Sequence, residues 1–395
     1  MRAMAPQPPE SRFEPCASTA SLFLYAQGST ILCLHHDTLA VERRFDSHQE
    51  NVEFISVDNV SERGAGRLVV SYDVGQTAIV WDIFTGTEIA RFASFEHLRI
   101  ASWMRNGSVA FGNGKGEVIL FEPPTSEHIS ARTIFDPITA LAPATDCRTY
   151  AIGYQNGSIL IANLLPQFTI LHTLTTSREP SPILSLAWHA SSSKQKSDML
   201  ATQSSNGDLR VWSVAKPPGK ESPRVIRVLK RSDSNSTDPK WMSWSKNGRI
   251  IQYLEGETWS WDVRTKHVTY EPIPTIEGVR GMANYGPTAT LFTLGPQNTV
   301  QQYDLDNPAM VANVQHVPVP SRPVASENGR SRTMSPRRLQ DPPNIREKGH
   351  GRRTPFDANG MDSWRYSTTF GIFPVRVLCV HVLGEKLACC VSITQ

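Results

Sequence analysis

Few residues in this chain have types and spacings that could do chemistry. His35-His36 is the one adjacent histidine pair. No carboxylate or cysteine stands at ligand spacing from it, so it reads as a strand end and not as a metal site. Gly112-Asn-Gly114-Lys-Gly116 is rich enough in glycine to approach a phosphate closely. However, a phosphate cradle of the GxxxxGK[ST] kind is absent, and this stretch opens a hairpin where anion binding needs a helix N-terminus. There is no GxSxG for an exposed nucleophile and no HExxH for a zinc-bound water. The six cysteines, at 16, 33, 147, 379, 389 and 390, form no CxxC and no metal-like spacing. Cys33 and Cys147 sit in or beside apolar runs and read as core thiols. The expectation is therefore no catalytic residues, no cofactor, no metal site and no small-molecule substrate.

What remains is surface charge, and its placement depends on the elements that carry it. The stretch Arg67 to Phe92 reads as three short strands, Leu68–Val70, Ala78–Trp81 and Glu88–Phe92, broken by Gly, Asp and Thr turns. The unit recurs. Strand ends align at Trp81-Asp82, Phe121-Glu122, Ala162-Asn163, Trp212-Ser213, Trp261-Asp262 and Tyr303-Asp304, roughly 40 to 50 residues apart. A tight turn bearing Gly or Asn precedes each. Asn156-Gly157 and Asn206-Gly207 predict type I′ hairpins, which need positive φ at both central residues. A second match, Trp103-Met-Arg-Asn106-Gly107 with Trp244-Ser-Lys-Asn247-Gly248, falls earlier in the unit, and Ala187-Trp188-His189-Ala190 occupies the same place.

The period and the Trp-Asp strand ends resemble the WD-repeat (WD40) β-propeller family. The resemblance covers residues 20–317 and implies an all-β, seven-bladed propeller with units at about 20–47, 48–94, 95–135, 136–177, 178–232, 238–274 and 276–317. It looks like the propeller part of a larger intracellular scaffold. The chain departs from the family in having two literal Trp-Asp pairs, and in reducing Gly-His to Ser47-His48 or Glu96-His97. The family's structural positions carry over to His48, Ser71, Trp81, Asp82, His97, Trp212, Trp261, Asp262, Tyr303 and Asp304. In the family, the His bonds a strand Ser or Thr and orients the Trp. Here Ser71 and Trp81 would be the partners of His48.

In propellers of this kind the first-to-second and third-to-fourth strand loops share one face. The fifth unit enlarges both, at 191–197 and 216–224, and they carry Lys194, Lys196, Lys216, Lys220 and Arg224. They are candidates for binding an acidic partner.

The flanks differ in composition. The net charge is +3, yet Ser321–Pro355 holds nine Arg or Lys against three acidic residues, a net +6. That stretch is rich in Pro and Ser, and too poor in apolar residues to offset its chain entropy. The expected divisions are a disordered segment at 1–19, the propeller at 20–317, a disordered basic linker at 318–361, and a short apolar segment at 362–395. Ser335, before Pro336-Arg337-Arg338, is a candidate for proline-directed phosphorylation. No secretory signal and no run of about 18 apolar residues is present, so an intracellular and chiefly cytoplasmic protein, with the nucleus as the second compartment, is expected. Function then reads as a non-catalytic scaffold binding proteins or peptides. An RNA-binding propeller with a basic tail is one alternative, and an enzyme using the central channel is a more distant one.

Overall fold

The computed structural model describes residues 13–318, apart from 63, 135, 145, 176–180, 190, 192–193, 218, 220, 230–237, 246–247, 266 and 307–308. Among them, 28 strands form seven four-stranded antiparallel sheets, each built from consecutive strands. The blades span 16–45, 52–93, 98–132, 138–175, 183–229, 241–273 and 281–316. Strands alternate in direction within a blade. The first-to-second and third-to-fourth loops therefore fall at one end of every blade. The second-to-third turns and the links between blades fall at the other.

The sequence produces these sheets through short apolar strands with buried second and third members. Leu68–Asp73 and Thr77–Asp82 are buried almost throughout, while the outer strand Glu88–Ala93 alternates between exposed and buried positions. Both faces of each blade must then be covered by its neighbours. The core accordingly divides into seven apolar clusters, each shared by two adjacent blades. Trp103, Val109 and Phe111 of blade three, for example, pack with Val70, Tyr72 and Val80 of blade two. Phe23 and Leu34 of blade one pack with Phe292 and Leu294 of blade seven. This last cluster closes the ring.

No strand is shared between the first and last blades among the described residues. Side-by-side packing closes the ring in its place. Phe23 stacks on Phe292 with centroids 5.0 Å apart. The Glu14 N–H donates to the Arg280 carbonyl at 2.6 Å, and Arg280 Nη1 donates to Glu14 Oε1 at 2.8 Å.

Two sequence expectations are corrected. Residues 16–18, assigned to a disordered N-terminal segment, form the inner strand Cys16–Ser18 of blade one. It pairs with Leu22–Gln27, whose inner edge would otherwise be unpaired where the ring closes. The Asn-Gly turns are not type I′. Positive φ occurs at Gly157 and Gly207 (both 83°) and not at the preceding asparagines. Gly157 N–H donates to the Tyr154 carbonyl at 3.1 Å across the three-residue loop 155–157, a type I turn ending in a left-handed glycine. The expected linker at 318–361 and segment at 362–395 lie outside the described residues, apart from 318.

Candidate functional site

The third-strand aromatic positions share one local design. Trp81 Nε1–H donates to Ser71 Oγ at 2.8 Å, Trp212 Nε1–H to Thr202 Oγ1 at 3.2 Å, and Trp261 Nε1–H to Gln252 Oε1 at 3.0 Å. Each acceptor lies on the neighbouring second strand. All three indoles are buried, so each needs a partner for its N–H. Tyr303 takes the same place in blade seven; its hydroxyl donates to Gln301 Oε1 and accepts from Ile276 N–H.

In blade two the network runs further. His48 Nε2 lies 2.7 Å from Ser71 Oγ, and His48 Nδ1 lies 2.7 Å from Asp73 Oδ2. The carboxylate can only accept, so Nδ1 carries the proton and Nε2 accepts from Ser71. Sequence reasoning did not single out Asp73. Its place just before a Gly-containing turn was the available signal. This Asp–His–Ser series has the order of a hydrolase triad, but it is sealed. Ser71 is fully buried, and its oxygen already takes the Trp81 N–H. No substrate carbonyl can reach it, so the series orients Trp81. Burial lowers the pKa of His48, opposed by its bond to Asp73, and the ring stays neutral near pH 7.

His97 is not part of such a network. It is 42% exposed and pairs with Glu53 at 3.0 Å. In its blade the positions matching Ser71 and Trp81 are Phe111 and Phe121, an apolar pair 6.4 Å apart with no hydroxyl to offer. The strand-end carboxylates cap the following turn. Asp82 Oδ1 accepts from Phe84 N–H and Thr85 N–H, Asp262 Oδ1 from Arg264 N–H, and Asp304 Oδ1 from Asp306 N–H. Asp82 and Asp262 also hold Arg67 and Arg264, which together with those backbone bonds keep both carboxyls below the usual range.

The other sequence candidates are also structural in their surroundings. His36 is buried, lies 3.0 Å from Ser18 Oγ and packs on Phe292. Gly116 (φ 79°) is required where the chain passes close by, since a Cβ there would stand 1.8 Å from the Ile134 carbonyl. No group of three or more His, Cys, Asp or Glu side chains could hold a metal among the described residues. No helix among them is long and apolar enough to cross a membrane.

Blade five presents the basic surface. Its two enlarged loops are brought together: Lys216 N–H donates to the Lys196 carbonyl at 2.8 Å. The Lys216 ammonium reaches the Ser191 carbonyl at 3.1 Å and Asp198 at 3.3 Å, and so serves to hold the loops. Lys194, Lys196 and Arg224 are exposed, and no bond or ion pair engages their side chains among the described residues. On blades two and three, by contrast, exposed cations are paired: Arg91 with Glu88, Arg105 with Glu62, Lys115 with Glu96. Lys220 and Ser335 lie outside the described residues.

No family model matches this chain, and no curated protein matches it in sequence. The fold is similar to the crystal structure of the β-propeller domain of Cps50 (Swd1) from Myceliophteria thermophila. The TM-score is 0.59 at 13% identity, over 74% of this chain and 97% of that one. Identity that low speaks to the fold alone. Together with the seven four-stranded sheets, it shows that the described residues adopt a seven-bladed β-propeller fold.

Proposed function

We propose that this chain is a non-catalytic platform within a larger intracellular assembly, and that the loops of blade five dock an acidic segment of a protein partner. The observation that carries the reading is the contrast in pairing. Cations on blades two and three are neutralised by neighbouring carboxylates, whereas Lys194, Lys196 and Arg224 sit on loops fastened to each other and are left uncommitted. Uncommitted charge on a held loop attracts an opposite charge without first breaking an internal pair. Loops 191–197 and 216–224 contain no aromatic residue on which bases could stack, which favours a protein partner over RNA. Phosphorylation at Ser335 would add about −1.5 to −2 charges to the basic tail and weaken its attraction for the same acidic surfaces.

Fluorescence anisotropy with a labelled polyglutamate 20-mer tests the docking. Wild type should bind more weakly as salt rises, and the triple variant Lys194→Glu, Lys196→Glu, Arg224→Glu should lose about tenfold or more in affinity. Equal binding by wild type and variant contradicts the reading. Tighter binding of poly(U) RNA than of polyglutamate would favour the RNA alternative.

A further inference from the structure

A cavity of about 560 Å³ opens at the same end of the blades, between blades four and five. Trp188, Val214 and Pro217 give it apolar walls, and Arg105, Arg148 and Lys216 stand around it. Its size falls in the range of about 300–1,000 Å³ typical of ligand sites, with room for more than one side chain.

The charges lining it are not equivalent. Asp146 is committed to its own turn: Oδ1 accepts from Arg148 N–H and Thr149 N–H, both at 2.9 Å, and Oδ2 from the Thr149 hydroxyl at 3.1 Å. Asp198 accepts from Ser191 N–H at 2.8 Å and pairs with Lys216. Arg105 pairs with Glu62. Arg148 differs. It is exposed, and no bond or ion pair engages its side chain among the described residues. The cavity thus combines an apolar wall with one uncommitted guanidinium, and both of its carboxylates are already satisfied.

We propose that this cavity receives a leucine of the docked partner segment, with an adjoining carboxylate of that segment held by Arg148. The inference rests on the docking reading and makes it more specific, from acidic surfaces in general to an acidic peptide with a leucine anchor. Charge complementarity selects the acidic flank. The apolar wall selects the anchor, because burying a leucine side chain releases its surface from water while a run of glutamates alone leaves the wall wet.

Two 12-residue probes separate the parts: polyglutamate, and the same peptide with leucine at its sixth position. Each is titrated into the full chain and into Arg148→Ala and Ala215→Phe variants. The second variant places a phenyl ring in the cavity wall, and circular dichroism of each protein checks the fold. The leucine peptide should bind wild type roughly tenfold tighter than polyglutamate. Ala215→Phe should remove most of that ratio, and Arg148→Ala should weaken binding of the leucine peptide. Equal affinity of wild type for the two probes, or a ratio that survives Ala215→Phe, overturns the pocket. If polyglutamate still binds and still responds to the charge reversals on blade five, the docking reading stands without it. Failure of both probes to bind overturns both.

Discussion

At the scale of the residue, the chemistry that looks catalytic in order is structural in setting. Asp73, His48, Ser71 and Trp81 form one series of short bonds inside blade two. His48→Ala would leave the Ser71 hydroxyl and the Asp73 carboxylate without their partner. The expected loss is about 1–3 kcal/mol, read from the urea midpoint, with polyglutamate affinity unchanged where the fold survives. A folded variant that no longer binds would place His48 in the docking site. The histidines also set a pH dependence. Burial holds His36 down to about 4 and lowers His48 as well. The unfolded chain takes up these protons near pH 6.5 and the folded one does not. Stability is therefore full above about 6.5 and falls as pH drops from there towards 4. His36→Gln should flatten that slope, in denaturant midpoints taken at pH 7 and pH 5. An unchanged slope would mean that His36 titrates as freely as it does in the unfolded chain. The resemblance to the family pointed to His48, Ser71 and Trp81 as a group. It misled at His97, because a histidine at the family position orients a tryptophan only where the strands supply a hydroxyl and an indole. Blade three supplies Phe111 and Phe121 there.

At the scale of the element, a second use of tryptophan joins blade to blade. Trp103 Nε1–H donates to the Ser56 carbonyl of blade two at 2.9 Å, Trp188 to Ala142 of blade four at 3.2 Å, and Trp244 to Ala187 of blade five at 2.9 Å. Asn284 Nδ2 reaches back to the Trp244 carbonyl of blade six at 2.7 Å, so an amide replaces the indole in blade seven. The recurrence of Trp103, Trp188 and Trp244 was legible as an internal match. Its purpose was not, because the acceptors are backbone carbonyls about 50 residues away and carry no sequence signature. Trp103→Phe keeps most of the apolar bulk and removes the bond, so it should cost about 0.5–1.5 kcal/mol in denaturant unfolding. A loss of 4 kcal/mol or more would mean that shape, and not the hydrogen bond, dominates there. The inner strand Cys16–Ser18 was illegible for a different reason. Three residues of mixed polarity, with Pro15 before them, show no alternation, and ring geometry decides their pairing.

At the scale of the whole molecule, closure depends on packing between the first and last blades. Deleting residues 1–19 removes the inner strand of blade one, the Glu14–Arg280 pair and the Ser18 contact to His36. It should lower the melting temperature by well over 10 °C or abolish cooperative unfolding. Arg280→Ala, which breaks one half-exposed ion pair and its neighbouring bonds, should have a much smaller effect. A truncated protein as stable as the full chain would mean that the ring closes without this strand. Six of the seven units were readable from strand ends spaced at the blade period, and the first from three short strands at 21–26, 30–35 and 41–45. Which face binds was not, because pairing between loops decides which cations remain free. Hydrogen–deuterium exchange of the full chain, with and without saturating polyglutamate, tests the docking claim most directly. The account predicts slowed exchange in the two loops of blade five, 191–197 and 216–224, and unchanged exchange at the second-to-third turns of blades one to three on the opposite face. Protection confined to that opposite face, or none at saturation, would contradict it.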